Sequence, residues 1–388
     1  MHRAAAYPGA ASQAGAQPAG RHRQYAAGAW RAAPVGAYAL LPLPAAWLPP
    51  SRLGAWRPGC AAEYGWGKIM QRQTIAVVGG TGFIGSRLVN TLVGSGARVR
   101  IAARRREHAR HLAMLPVEIV ELGAFDEREL ARFVAGARVA VNLVGVLHGA
   151  RGLPYGERFA RLHVALPASL AAACIEARVP RVIHVSALGA DPHAPSMYLR
   201  SKGDGEAALH ARAATGALDV TVFRPSVVFG PGDAFLTLFA RLQRLLPVLP
   251  LAMPDALIQP VYVGDVALAL ANACVRDATR GKTYELGGPR TYRLEALVRY
   301  AGALAGRRAR IVRLPDALAR MQARVFELLP GEPLLTRDNL ASLSVPSVMT
   351  GPLAPELGIA PASVESVAPT YIGDTALYSR FAGWRARR

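Results

Sequence analysis

Between residues 75 and 85 the chain reads Ile75-Ala-Val-Val78 and then, without a break, Gly79-Gly-Thr-Gly82-Phe-Ile-Gly85, a succession that leaves few folds open. Four apolar residues in a row suit a strand buried on both faces. After the glycines, Ile84, Leu88 and Leu92 recur every four residues, Val89 and Val93 widen the stripe, and Gly94-Ser-Gly96 ends the helix before a second strand at 99–103. A GxxGxxG loop alone is weak information. Set between strand, amphipathic helix and second strand within about 30 residues, it is specific. Glycine is needed because backbone must come close to a pyrophosphate, and a side chain would obstruct both the tight turn and the helix N-terminus that receives the negative charge. Gly79, Thr81, Gly82, Phe83, Ile84 and Gly85 are therefore the expected phosphate-side contacts.

The pattern continues with strand 118–121, helix 127–134, strand 139–144, helix 165–177 and strand 181–185. Strands alternating with helices predict an α/β chain, a Rossmann-type doubly wound parallel sheet, here with a smaller C-terminal lobe. In such a sheet the carboxyl ends of the strands share one rim, so Val144, Gly145, Ser186 and the Pro225-Ser226 step are expected beside a dinucleotide. The expected organisation is a disordered extension over 1–70, with the true start at Met70, a dinucleotide-binding domain over 71–290 with substrate-lobe segments from 234, a helical lobe over 291–345 and an extension over 346–388. The segment 1–70 differs in composition: it holds seven basic residues but one acid, Glu63, with eight of the 29 prolines and four of the five tryptophans.

The formal charge is +20, and residues 71–388 still hold 39 basic against 25 acidic residues, a surplus of 14. That surplus favours anionic ligands or surfaces. One cluster sits where a nucleotide-binding sheet chooses its cofactor: the second strand ends Ala103-Arg104-Arg105-Arg106, and the first acid is Glu107. A carboxylate at that point binds ribose hydroxyls, whereas arginine accommodates a 2′-phosphate, so Arg104 and Arg105 predict NADP(H) over NAD(H). A solvated basic run is the alternative. Nucleic acid is not expected, since the arginines are not interleaved with stacking aromatics. No spacing suggests a metal site. No uninterrupted apolar run reaches 18 residues, so no transmembrane helix is expected. The three cysteines, Cys60, Cys174 and Cys274, are unclustered, as in a reducing compartment, and Cys174 is in phase with the core positions Leu166 and Leu170.

Ser186 follows a strand, and twelve residues later comes Tyr198-Leu-Arg-Ser-Lys202. On a helix, residues i and i+4 share a face, so the Lys202 ammonium is expected to lower the Tyr198 phenol pKa. Tyr198 would then exchange the substrate hydroxyl proton while hydride moves to or from nicotinamide, and Ser186 would hydrogen-bond the carbonyl oxygen. Lys202 can equally hold the nicotinamide ribose with Tyr198, which serves cofactor retention alone.

The glycine loop, the serine after a strand and the YxxxK resemble the short-chain dehydrogenase/reductase superfamily. Asn142-Leu-Val-Gly145, Ile183-His-Val-Ser186, Phe223-Arg-Pro-Ser226, Gln259-Pro-Val-Tyr-Val-Gly-Asp265, Phe326-Glu-Leu-Leu-Pro-Gly-Glu-Pro333 and Thr336-Arg-Asp338 narrow the likeness to its atypical extended branch. That branch includes the NADPH-binding Rossmann-type accessory subunits of respiratory complex I and their bacterial relatives. The resemblance, over about 74–345, implies either an oxidoreductase or a nucleotide-stabilised accessory protein of a respiratory or quinone-synthesis membrane complex. A cytoplasmic protein, peripheral at the inner face of the membrane, is expected from the residues themselves, because Arg299, Arg307, Arg308, Arg310, Arg313, Arg320 and Arg324 surround two apolar helical stripes and such a basic amphipathic surface can hold a protein against anionic lipid. A sugar-nucleotide epimerase or dehydratase is the alternative. Gly123-Ala124 stand where many extended members carry an adenine-contacting acid, and Asp126 is expected to cap the helix at 127.

Further on, a strand at 257–263, a helix at 266–275 capped by Asp265 and a strand at 283–286 are expected. Phe235, Leu236, Phe239, Leu245 and Leu246 read either as core or as the lining of a hydrophobic site. Leu294, Leu297, Val298, Ala301 and Leu304, and then Leu318, Met321, Val325, Leu328 and Leu329, recur at helical spacing and are expected to be core faces, with arginines around them and a basic end, Trp384-Arg-Ala-Arg-Arg388.

Overall fold

The computed structural model describes residues 70 and 73–373, apart from 124, 217 and 332. The expectations for 1–69, for Cys60 and for the basic end at 384–388 fall outside the described residues.

Seven parallel strands form the central sheet: β1 (Thr74–Val78), β2 (Arg98–Ala103), β3 (Val117–Glu121), β4 (Val139–Asn142), β5 (Arg181–Val185), β6 (Asp219–Pro225) and, from further along the chain, β11 (Thr283–Leu286). Their order across the sheet is β11-β6-β5-β4-β1-β2-β3. The order reverses between β1 and β4, and there the carboxyl ends of the strands open a crevice. Strand β1 shows why both faces must be covered: Ile75 and Val77 enter one core cluster and Ala76 and Val78 the other. The first face is covered by α1 (Phe83–Gly94) and α6 (Val263–Val275). The second is covered by α2 (Glu127–Val134), α3 (Glu157–Glu176) and α4 (Met197–Ala213).

Helix α3 is long and apolar enough to cross a membrane by length and composition. Its Leu166, Leu170, Ala171, Ala173 and Cys174 are buried against the sheet, so it is a core helix. The thiols of Cys174 and Cys274 are free and buried, and burial pushes each up to about 12.

The smaller part of the chain is built from α5 (Leu236–Leu245), α7 (Leu294–Leu304), α8 (Asp316–Leu328), α9 (Arg337–Leu343) and three two-stranded sheets. These pair β7 (Val228–Phe229) with β10 (Val261–Tyr262), β9 (Leu257–Ile258) with β12 (Tyr292–Arg293), and β8 (Val248–Leu251) with β13 (Arg310–Arg313). Leu294, Leu297, Val298 and Ala301 are buried with Leu236, and Leu304, Phe235 and Phe239 pack on them. The core reading is right for these residues, whereas Leu245 and Leu246 face solvent.

Four expectations need correction. The strand at 139–144 ends at Asn142, because the Asn142 side chain accepts a hydrogen bond from Val144 N (3.1 Å) and turns the chain. The strand at 257–263 is two short pieces, broken at Gln259-Pro260, where the Gln259 side chain holds neighbouring backbone at Gly288 and Met349. Asp265 lies inside α6, not at its cap, and its carboxylate accepts from Ala362 N (2.7 Å); burial pushes it up to about 6. Leu318, Met321, Val325, Leu328 and Leu329 are exposed, because α8 turns its small residues Ala319 and Ala323 inward instead.

Candidate functional site

The glycine loop closes on itself. Gly82 N donates to Gly79 O (3.1 Å), and Gly79 has φ +84°, which only glycine adopts at no cost. A Cβ on Gly85 would run into Gly79 O and the Gly80 backbone, and one on Gly79 would come within 3.0 Å of Leu143 C and 3.1 Å of Val144 N. The loop therefore lies directly against the end of β4. Helix α1 opens at Gly82 with no side-chain cap and no acid in its first turn. Its first amides and the positive end of its dipole remain for an anion. These features fit a dinucleotide pyrophosphate.

Beyond the ends of β4 and β5 lies the second cluster. Lys202 is buried on α4, with Nζ donating to Val185 O (3.1 Å) and Val144 O (3.4 Å), so one ammonium ties both strand ends to the helix. Gly145 lies beside this ammonium: a Cβ there would stand in ordinary contact, 3.4 Å, with Lys202 Nζ. Burial lowers the Lys202 pKa to about 8, against an upward pull from Glu206. Glu206 itself is held by Arg224 on β6, through Arg224 Nε at 2.9 and 3.1 Å and Nη2 at 2.5 Å.

Ser186, next after β5, is buried, and its Oγ has no hydrogen-bond partner among the described residues. A buried hydroxyl left so costs about 1–3 kcal/mol, unless a ligand group completes it. The Tyr198 phenol does not follow the expectation of a lowered pKa. Burial raises it to about 12, and the Lys202 ammonium is engaged by the two carbonyls.

Two residues that the sequence reading gave no role stand beside this cluster. His163, on a π-helical turn (Ala160–Ala165) of α3, is fully buried, its ring edge-on to Tyr198 with centroids 5.7 Å apart. Val146 N donates to its Nε2 (3.0 Å), so Nδ1 carries the proton and donates to Ser201 Oγ (2.8 Å), which donates in turn to Tyr198 O (2.8 Å). Burial and the Lys202 charge push His163 down to about 2, so it stays neutral. Asp338, on α9, accepts from Met197 N (2.6 Å) and Tyr198 N (3.0 Å), so a carboxylate 140 residues downstream caps the helix that carries the tyrosine. The π turn gives no signal in residue pattern. Asp338 did stand in the quoted Thr336-Arg-Asp338, but nothing local shows where it reaches.

Pro225 ends β6 and its carbonyl accepts from Leu188 N (3.0 Å), which keeps it on the same rim as Ser186. Arg104 and Arg105 are exposed just past β2. Thr81, Phe83 and Ile84 occupy the loop and the first turn of α1. Asp126 caps α2 through Glu129 N (2.7 Å), as expected.

A parallel sheet with this strand order, a glycine loop at its switch point and a Ser-Tyr-Lys cluster across the crevice define the class of dinucleotide-binding α/β proteins of the short-chain dehydrogenase/reductase type. Residues 75–287 match the NAD dependent epimerase/dehydratase family, and the chain belongs to that family, which binds nicotinamide dinucleotide. It is 33% identical over 297 residues to NADH dehydrogenase (ubiquinone) 1 alpha subcomplex subunit 9, mitochondrial, of Rattus norvegicus, covering 74% of this chain and 77% of that protein. It is 34% identical over 247 residues to ceramide reductase of Caulobacter vibrioides, covering 63% of this chain and 74% of that protein. Among solved structures, MoeE5 in complex with UDP-glucuronic acid and NAD matches with a TM-score of 0.59 at 22% identity, over 80% of this chain and 99% of that one. That likeness concerns the fold. The sequence-level resemblance to the complex I accessory subunits and their relatives is thus met.

Proposed function

We propose that the chain is an NADP(H)-binding atypical member of its family that retains a hydride-transfer site at Ser186, Tyr198 and Lys202. The observation that carries this reading is the buried Ser186 hydroxyl without a partner among the described residues, close to a half-buried Tyr198. A scaffold that had lost its substrate would be better off with an apolar residue at 186.

Gly79, Thr81, Gly82, Phe83, Ile84 and Gly85 would hold the pyrophosphate, Arg104 and Arg105 the adenosine 2′-phosphate, and Val144, Gly145, Pro225, Tyr198 and Lys202 the nicotinamide side. The bound dinucleotide supplies or accepts hydride. Ser186 donates a hydrogen bond to the substrate carbonyl oxygen. Tyr198, protonated at neutral pH because burial raises its pKa to about 12, gives its hydroxyl proton to that oxygen, which suits the reductive direction. Lys202 orients the phenol's helix through Val144 O and Val185 O and stays close enough to hold a ribose hydroxyl.

The second reading is a nucleotide-stabilised accessory subunit of a respiratory or quinone-synthesis complex, at the inner face of a membrane. It is favoured by relatives named as complex I subunits in Rattus norvegicus and, at 31% identity over 290 residues, Arabidopsis thaliana. A pair of variants separates the two. Under the first, Tyr198→Phe abolishes function in the native host while NADPH binding by the purified protein persists. Under the second, Tyr198→Phe is silent there and Gly82→Asp, which blocks the loop, is harmful. A Tyr198→Phe strain indistinguishable from wild type would overturn the catalytic reading.

A further inference from the structure

Helix α8 has two apolar faces. Ala319 and Ala323 pack inward on Ala252 and Leu340, while Leu318, Met321, Val325 and Leu328, spaced by three, four and three residues, form a stripe on the opposite side. Nothing among the described residues covers that stripe: Leu328 is 80% exposed and Met321 59%. The feature is not confined to one helix. The strand leading into α8, β13, pairs with β8, and their Val312 and Val248 are also exposed, as is Leu245, 78% open, at the end of α5 just before β8.

Basic residues outnumber acidic ones around these side chains: Asp316 opens α8 and Glu327 lies beside Leu328, the latter already taken by Arg337. Arg307, Arg308 and Arg310 precede Val312, and Arg310 N donates to Pro247 O, which places the three beside Leu246 and Val248. Arg320 and Arg324 lie on α8 itself. None of these five forms an ion pair among the described residues, although Arg299, Arg313 and Arg337 nearby are paired with Glu295 and Glu327.

We infer that this face docks on an anionic lipid surface, with the outward leucines, Met321 and the valines entering the headgroup boundary and the unpaired guanidiniums meeting lipid phosphates. Charge complementarity selects this occupant over a second copy of the chain, since a two-fold contact would set the same arginines against one another. The face is also a bare, outward-turned helix and not a groove. A fluid interface receives it without a shaped partner. The inference deepens the membrane location proposed above by naming the surface responsible.

The test is co-sedimentation of the full chain with phosphatidylcholine vesicles, with and without about 30% phosphatidylglycerol. The chain is expected to pellet with the anionic vesicles and to be released by high salt. Arg320→Gln with Arg324→Gln should weaken binding about tenfold or more, and Met321→Ser with Leu328→Ser should abolish it at any salt. Because all four side chains are exposed, both double variants should keep wild-type NADPH binding, which separates a failure of this face from a failure of the dinucleotide site. Wild-type protein left in the supernatant with anionic vesicles, or apolar variants that pellet like wild type, would overturn the inference. So would self-association that these variants disrupt without any vesicle binding.

Discussion

Burying an ammonium between two strand ends has a cost that depends on pH. Lys202 falls from 10.5 to about 8 because of desolvation, partly offset by Glu206, so between those values the folded chain holds fewer protons than the unfolded one. Stability contributed by this residue therefore rises with pH across that window and is lowest near neutrality. Lys202→Met should flatten the rise: comparing urea midpoints at about pH 7.5 and about pH 9.5, wild type should gain on the order of 1–3 kcal/mol relative to the variant. An equal pH response in both would refute the assignment. Ser186, Tyr198 and Lys202 were legible as a trio because their spacing is a local pattern. The raised phenol pKa was not, because it depends on burial and on whether the ammonium faces the phenol or the backbone, and here Val144 O and Val185 O take it.

Among the elements, α4 is the one whose position matters most, and its first turn is fully capped. Ser196 Oγ accepts from Leu199 N (3.1 Å), and Asp338 accepts from Met197 N and Tyr198 N. A carboxylate at a helix N-terminus satisfies orphan amides and meets the dipole. Asp338→Ala should lower unfolding free energy by about 1–2 kcal/mol and loosen α9 from α4, with Asp338→Asn recovering part of the loss; thermal and urea denaturation measure both. If the reading of Tyr198 as proton donor holds, the alanine variant should also lose turnover more than substrate affinity. Equal stability of all three proteins would remove Asp338 from this role. Helix 127–134 and strands 181–185 and 283–286 stand where periodicity places them, because each is decided by its own burial pattern. The 318–329 stripe shows the limit of that reasoning: helical spacing shows that a face is apolar but not which way it turns, and Ala319 and Ala323 fit the inner contact more closely than leucine would.

For the whole molecule, a ligand that bridges the switch point between β1 and β4 stabilises the chain by mass action, by about 2.7 kcal/mol at a hundredfold excess over its dissociation constant. NADPH should accordingly raise the melting temperature more than NADH at equal concentration, and Arg104→Ser with Arg105→Ser should erase that difference while leaving the melt without nucleotide unchanged. A larger shift with NADH in the wild type would reverse the cofactor preference. The sequence by itself determined the parallel sheet, the glycine loop and the Ser-Tyr-Lys cluster, because a β-loop-α-β unit and a YxxxK are patterns of neighbours within a few turns of chain. Only the tertiary structure decided that His163 stays neutral behind Tyr198, that Asp338 holds α4 from 140 residues away, and that no described residue covers the outer face of α8. Those outcomes depend on which surfaces meet when distant segments close on one another, and no local spacing encodes that choice.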